Sequence, residues 1–319
     1  MMYILSLNNI NKFDEFIARI SDKKAKLDEH RPINSIALQK IKDSLFVEWT
    51  YNSNSIEGNT LNLNETFIVL NDGLTIGGKS LNEHLEVINH QSAIELLMQL
   101  AHPKYKLNTK DVLEVHRLVL DKIDKQFAGR YRNAGVRISG ANFIPPNAQK
   151  IDNLMDELIN WVNQNPQQLH PIILASVFHH QFVHIHPFFD GNGRTVRLAM
   201  NLILLKSGYP PAVILKNDRK KYYSALNSAN KGNYKNLFLL MLQAAERSMD
   251  IYLSAIPNKG YDNYQPISQI VEDEQLPYSA NYVGLLVRQG KIAAHKNGRN
   301  WYTNKQAIQN YIDNRKRKR

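Results

Sequence analysis

Apolar residues recur at three- and four-residue steps through most of this chain, the spacing of helices with one buried face. Between Ser35 and Thr50 the series Ile36, Leu38, Ile41, Leu45, Phe46 and Trp49 marks one such helix. Thr60 to Thr66 looks like a turn entering another, and Leu81 to about His102 is a third. Thr109 to Leu120 follows, carrying Val112, Leu113, Val115 and Val119, with His116 read as a packed histidine rather than a ligand. Ile151, Leu154, Met155, Leu158, Ile159 and Val162 define a helix from Asn147 to Val162. Pro171 opens the next at a favoured first-turn position. Leu198 to Lys206 is an apolar helix closed by Gly208, and two more run from Arg219 to about Ala229 and from Tyr234 to Ser254.

Two short stretches break this rhythm. Val136-Arg137-Ile138-Ser139-Gly140 and Phe143-Ile144-Pro145-Pro146 flank the turn Gly140-Ala141-Asn142, which predicts a β-hairpin inside a helical chain. Near the end, a short helix from Ile267, a turn at Pro277 and a helix from Ser279 to Arg288 precede a second hairpin, Ile292 to Lys296 and Asn300 to Thr303 around Asn297-Gly298. A closing helix, Lys305 to Ile312, completes the pattern. Pro257-Asn258-Lys259-Gly260 is the best linker.

With 319 residues, 43% of them hydrophobic, the chain can bury a substantial core and holds two or three structural units. It has no cysteine, which excludes disulfides and thiolate metal sites and fits a reducing compartment. The N-terminal Met-Met-Tyr-Ile-Leu-Ser-Leu lacks the basic start and long apolar core of a signal peptide, and no apolar run is long enough for a membrane span, so a cytoplasmic protein without membrane contact is expected. The net charge of +11 is uneven: from Gly260 onward there are 10 Lys/Arg and 5 Asp/Glu, and Arg315 to Arg319 are all cationic. Such a tail is a solvated end or a contact for nucleic acid or an acidic partner.

The chemistry concentrates in His186-Pro187-Phe188-Phe189-Asp190-Gly191-Asn192-Gly193-Arg194-Thr195-Val196-Arg197. Glycines directly before an apolar helix predict a loop whose N–H groups point out of a helix N-terminus, a place for an anion. Arg194 and Arg197, three apart, share a helix face and can hold more than one phosphate. Asp190 can hold a hard cation such as Mg²⁺, which takes one or two carboxylates and shares substrate phosphates. His186 remains as the proton acceptor.

Two other clusters invite readings that fail. Gly77-Gly78-Lys79-Ser80 lacks the upstream glycine and strand of a P-loop. His179 and His180, with His184 and His186, suggest zinc, but adjacent residues diverge on a helix and no cysteine or suitably spaced carboxylate completes a set.

The twelve-residue stretch resembles the signature of the Fic family, H-P-F-x-[D/E]-G-N-G-R-x-x-R, at every fixed position. The resemblance implies a mainly α-helical bundle with a β-hairpin flap and transfer of AMP from ATP to a hydroxyl of a target protein. Carried across, His186 deprotonates the hydroxyl and Asp190 binds Mg²⁺ or Mn²⁺. Gly191, Asn192 and Gly193 cradle the phosphates, Arg194 holds the β-phosphate and Arg197 the γ-phosphate. Ser53-Asn54-Ser55-Ile56-Glu57-Gly58 resembles the inhibitory segment of many Fic proteins, in which the Glu, here Glu57, bonds to the second motif arginine, here Arg197. The hairpin at Val136, Arg137, Ile138, Ser139 and Gly140 resembles the flap that holds the target as an added strand. Tyr222 or Tyr223 faces the adenine or packs in the core.

The last sixty residues are similar to an excisionase-like winged helix-turn-helix. If they bind DNA, Ser279, Asn281, Tyr282 and Arg288 lie on or near the major-groove helix, with Lys296 and Arg299 on the wing; protein docking or dimerisation is the alternative. The expected organisation is therefore an N-terminal helical region with the inhibitory motif (1–100), a Fic catalytic core (101–256), and a small C-terminal winged-helix domain with a basic tail (260–319). The expected partners are a target protein, DNA through the last domain, and a second copy of the chain. Two rivals remain: a DNA-binding regulator whose bundle senses a nucleotide, and removal of AMP with Glu57 orienting a water.

Overall fold

The computed structural model describes residues 10–31, 36–138, 140, 143–254, 264–273 and 276–317. Ser139, the turn at Ala141-Asn142, the linker 257–260, and Lys318 and Arg319 lie outside them. The mainly helical class expected from the spacing is what forms. The helices are α1 (Asp14–Glu29), α2 (Ile36–Glu57), α3 (Leu63–Phe67), α4 (Leu81–Leu100), α5 (Thr109–Val119), α6 (Ile151–Gln164), α7 (Pro171–Ile185), α8 (Asn192–Lys206), α9 (Arg219–Ala229), α10 (Lys235–Ser254), α11 (Ile267–Asp273), α12 (Ala280–Arg288) and α13 (Lys305–Arg317).

The core is built around α7, which is buried along nearly its whole length because almost every position from Ile172 to Phe182 is apolar or has a buried partner. Several of its polar residues find partners inside the bundle: Ser176 bonds back to the Ile172 carbonyl, His179 pairs through Nε2 with Tyr222, and Gln181 donates to the Tyr234 hydroxyl. Helices α6, α8 and α10 pack on α7, α4 and α5 pack on α8, and α1 lies along α10. Helix α2 crosses α4 and α8. Burial on this scale, at about 25 cal/mol per Å² of apolar surface, dominates the stability of such a bundle.

Helix α2 runs further than its apolar spacing predicts, continuing through Ser53 to Glu57. Asn and Ser are weak helix formers because they compete for backbone groups. Here Asn52 and Asn54 donate to carbonyls one turn back, Glu48 and Thr50, so the competition is resolved within the helix. Gly58, with φ of 112°, ends it.

At Ser80, the Gly-Gly-Lys-Ser stretch is a helix start. Ser80 caps α4 in a capping box with Glu83, and Lys79 donates to Thr60.

The turn of the expected flap hairpin lies outside the described residues. Among the described residues of 131–146 there is no strand pairing. Of the adjacent Pro145 and Pro146, neither has a backbone N–H, so whichever of them faced a partner strand could not donate to a ladder. The sheet lies elsewhere, in the C-terminal unit: β1 (Gln265–Pro266), β2 (His295–Asn297) and β3 (Asn300–Thr303) pair antiparallel in the order β1-β3-β2. With α11, α12 and α13 they enclose a small core of their own, including Ile270, Val283, Leu286, Val287, Ile292 and Ile308.

Candidate active site

The centre of the site is the turn from α7 to α8. His186 caps α7 in the left-handed region, φ 51° and ψ 63°, a conformation that costs a non-glycine residue about 1–2 kcal/mol. Gly191, also left-handed at φ 73°, caps α8, so Asn192, Gly193 and Arg194 belong to the first helical turn rather than to a preceding loop. Thr195 makes the first backbone bond back, to the Gly191 carbonyl. The N–H groups before it are the donors that a helix leaves for an anion.

Asn192 braces the turn from inside, accepting from the Phe188 N–H at 3.0 Å and donating to its carbonyl at 2.8 Å. It is buried and acts as a structural clamp.

His116 also holds the turn. Its ring stacks on Phe188 with centroids 3.5 Å apart and planes within 6°. The Gly129 N–H donates to its Nδ1, so its Nε2 carries the proton and donates to the Asp190 carbonyl at 3.0 Å. Burial pushes its pKa down to about 4, keeping it neutral. A Cβ on Gly191 would press on this ring at 3.3 Å. The helical spacing predicts a packed histidine here, and the packing is against the signature itself.

Asp190 projects outward with its side chain 75% exposed; Oδ1 accepts from the Gly191 N–H at 2.6 Å and Oδ2 lies 3.7 Å from Arg194. No group of three or more His, Cys, Asp or Glu that could cage a metal exists among the described residues. The exposed Asp190 carboxylate beside the open α8 N-terminus fits an ion that takes one carboxylate and completes its shell with substrate phosphates and water, as Mg²⁺ does.

Burial, with the Arg132 guanidinium adding to it, pushes the His186 pKa down to about 4, although Glu57 and Asp190 pull the other way. The imidazole is therefore an unprotonated acceptor at neutral pH.

Both motif arginines are engaged by carboxylates from the N-terminal helices. Arg197 is buried and donates from Nη1 to Glu57 Oε1 at 2.8 Å, from Nη2 to the Ser53 carbonyl at 2.8 Å and from Nε to Ser53 Oγ at 3.1 Å. Arg194 donates from Nη1 to Glu86 Oε1 at 2.9 Å, and Glu86 also accepts from Asn59. Sequence reasoning misses Glu86, one of three glutamates on α4, which belongs to no motif and has no lysine or arginine within a helical turn to mark it. A Cβ on Gly193 would overlap Glu57 Oε1, so only glycine there leaves room for the carboxylate.

Tyr222 is a core residue, fully buried and bonded to His179 at 3.0 Å. Tyr223 is exposed and lies under Arg219 at 5.0 Å. In the flap segment, Val136 and Ile138 are half-buried and Arg137 is exposed. The Gly140 carbonyl accepts from Asn227 at 3.4 Å, and Phe143 stacks on His184 at 4.4 Å. The loop thus lies over the end of α7 and against α9.

The structure does not gather Arg288, Lys296 and Arg299 on one open face. Lys296 Nζ pairs with Asp218 at 2.5 Å, its carbonyl accepts from Arg247, and Arg288 lines a cleft facing Lys220, Lys221 and Gln243 of the bundle. Arg299 stands exposed at the hairpin turn.

A model of the Fic/DOC family matches residues 106–204, the segment from α5 through α8. Over 259 residues the chain is 35% identical to the protein adenylyltransferase Fic of Drosophila willistoni, covering 81% of this chain and 51% of that protein. A solved fragment of Fic-1 from C. elegans superposes with a TM-score of 0.70 at 30% identity, covering 78% of this chain and 73% of the fragment. A Fic domain containing signaling protein from Bacteroides thetaiotaomicron gives 0.66 at 25% identity, over 76% of this chain and 99% of that one. The chain belongs to the Fic family. It spans about half the length of the curated relatives it matches. Those relatives are named protein adenylyltransferases, and no helix among the described residues is long and apolar enough to cross a membrane.

Proposed function

We propose that this chain transfers AMP from ATP to a hydroxyl side chain of a target protein, and that Glu57 holds it in a weakly active state. The observation that carries the reading is that one short turn sets His186, the C-cap of α7, beside the N-terminus of α8, whose first-turn N–H groups can receive an anion. In the reaction the target hydroxyl attacks the α-phosphorus of ATP, its proton passes to His186, the bond between the α- and β-phosphates breaks, and pyrophosphate leaves. The first-turn N–H groups of α8 and Arg194 bind the phosphates, and Arg197 takes the γ-phosphate when it is free. Asp190 would hold Mg²⁺ or Mn²⁺, which supplies charge neutralisation on the phosphates.

Glu57 supports the inhibitory part because it occupies the guanidinium that the γ-phosphate needs, with Ser53 completing the hold. ATP placed without that anchor is misaligned for in-line attack.

We read the C-terminal unit as an excisionase-like winged helix that docks on the bundle. The engagement of Lys296 by Asp218 favours docking over DNA contact at that residue.

Incubating wild type and Glu57→Gly with ATP and Mg²⁺, followed by intact-mass spectrometry, tests the proposal. A mass increase of one AMP, larger in the variant, is the expected result. Binding of ATP with no covalent product in either protein would favour a nucleotide-sensing regulator, and loss of AMP from a pre-modified protein would favour the reverse reaction.

A further inference from the structure

We propose that Arg132 is a positioning residue that ties both limbs of the loop 134–146 to the backbone of His186, so that one guanidinium sets the target-facing loop and the acceptor imidazole together. The consequence for turnover rests on the adenylyl-transfer reading; the tie itself does not.

Arg132 is 2% exposed, and the hydrogen bonds of its side chain go to carbonyls. Nε donates to the His186 carbonyl at 2.8 Å, Nη1 to Ala134 at 2.8 Å, and Nη2 to Pro146 at 2.6 Å with a longer contact to Ile185 at 3.4 Å. Its backbone N–H donates to the Pro187 carbonyl at 2.9 Å. Three consecutive carbonyls of the His186 turn, and one carbonyl at each end of the loop, therefore converge on one residue.

Two features of the fold call for such a crosspiece. His186 stands where a helix ordinarily ends in glycine or asparagine, because the left-handed conformation strains other side chains. Chemistry requires histidine at this point, so the strain must be offset by contacts, and Arg132 supplies them. The loop limbs, in turn, have no strand ladder among their described residues to fix their separation. The planar fork of a guanidinium, with five N–H donors in fixed directions, can span both limbs and the turn; an ammonium on a flexible stem cannot point at all of them.

A residue that merely filled space would move stability alone. A positioning residue moves turnover while nucleotide affinity stays, since none of its bonds reaches α8 or the motif arginines.

The test uses the full chain carrying Glu57→Gly, with Arg132→Met and Arg132→Lys added separately. Hydrogen–deuterium exchange is read over 134–146 and 183–188, ATP affinity by titration calorimetry, and AMP incorporation at saturating ATP. In Arg132→Lys, exchange should rise in both segments, ATP affinity should stay within about twofold, and incorporation should fall by about 10- to 100-fold, the scale of an ångström-sized misplacement. Arg132→Met should show the same with greater loss; if it fails to fold, Arg132→Lys decides. Exchange rising in one segment only, or affinity falling in step with rate, overturns the proposal. If the Glu57→Gly parent incorporates no AMP, the transfer reading fails, and exchange still decides the tie: a joint rise supports it and a one-sided rise overturns it.

Discussion

Glu57 Oε1 lies 2.8 Å from Arg197 Nη1, joining the last residue of α2 to the second arginine of the signature. The Glu57 side chain is 33% exposed while that of Arg197 is 3% exposed, so the carboxylate is held at the edge of the site and the guanidinium inside it.

Replacing Glu57 by Gly should raise turnover. A charge-assisted hydrogen bond contributes about 1.5–3 kcal/mol, and about 1.4 kcal/mol is tenfold, so the gain should be roughly 10- to 150-fold. It should appear in turnover more than in affinity. Arg197→Ala should stay poorly active when combined with Glu57→Gly, because the freed phosphate has no anchor. Radiolabel incorporation by wild type, both single variants and the double variant reads this; equal rates for wild type and Glu57→Gly would remove the inhibitory role.

Gly193→Ala separates release of the glutamate from the making of a working site. Its methyl would overlap Glu57 Oε1 and lie 3.0 Å from Arg197 Nη1, forcing the carboxylate out. The same methyl stands at the α8 N-terminus where phosphates are to be cradled, so displacement of Glu57 should bring no gain in rate. Calorimetry should find weaker ATP binding than in wild type. A Gly193→Ala variant as fast as Glu57→Gly would show that the methyl leaves the phosphate path clear.

His186→Ala should lower transfer by about 10²–10⁴-fold while ATP still binds. Because burial and Arg132 push the His186 pKa down to about 4, the free imidazole is the dominant form at neutral pH. The rate of Glu57→Gly should be level from pH 8 to 6 and fall below about pH 5 as the imidazole takes a proton. An acid limb centred near the ordinary histidine value would contradict the environment described for this residue.

Much of this was legible in the sequence. Most helices were, because apolar residues at Val112, Val115 and Val119 or at Ile151, Met155 and Leu158 repeat with the turn of a helix and bury one face, whereas α1 was not singled out. The signature was, because His186, Asp190, Arg194 and Arg197 stand within twelve residues and the turn from α7 to α8 holds them together. What was not legible depends on long-range contact. Arg132 reaches the His186 carbonyl across 54 positions, and Glu86 reaches Arg194 across 108. The turn of the expected flap hairpin lies outside the described residues, and its described flanks show no strand pairing, where Pro145 and Pro146 supply no backbone N–H. The extent of α2 was missed because Asn52 and Asn54 discourage a helix by propensity and support this one through bonds to Glu48 and Thr50.

Acid should destabilise the fold between the ordinary histidine pKa and about pH 4. Burial pushes His90 down to about 3, and His116, His170 and His180 down to about 4, so each is neutral in the folded chain and titrates near 6.5 when unfolded. Their contribution is fully present above pH 6.5 and is lost as pH falls through that window, because the unfolded chain binds the protons first. A shift of this size corresponds to about 3 kcal/mol per histidine at the limit. Urea midpoints should drop markedly from pH 7.5 to pH 5; a level midpoint would mean that these rings find compensation in the folded state.

The last prediction concerns the seam between the bundle and the C-terminal unit. Arg247 on α10 donates to Glu48 on α2 at 2.7 Å and to the Lys296 carbonyl on β2 at 2.6 Å, while Lys296 Nζ pairs with Asp218. The Lys296 and Asp218 side chains are 12% and 11% exposed, and removing one partner from such a sheltered pair leaves a desolvated charge behind, at about 3–5 kcal/mol for full burial. Lys221, 3.3 Å from Asp218, can take up part of that charge, which lowers the cost. Lys296→Ala should therefore loosen the C-terminal unit without unfolding the bundle, whose core does not include it. Hydrogen exchange should rise over 264–317 and stay level over α7 and α8. Asp218→Asn should loosen the same seam. Exchange that rises equally in α7 would show that the two units unfold as one, and unchanged exchange over 264–317 would show that the seam is held by its apolar contacts alone.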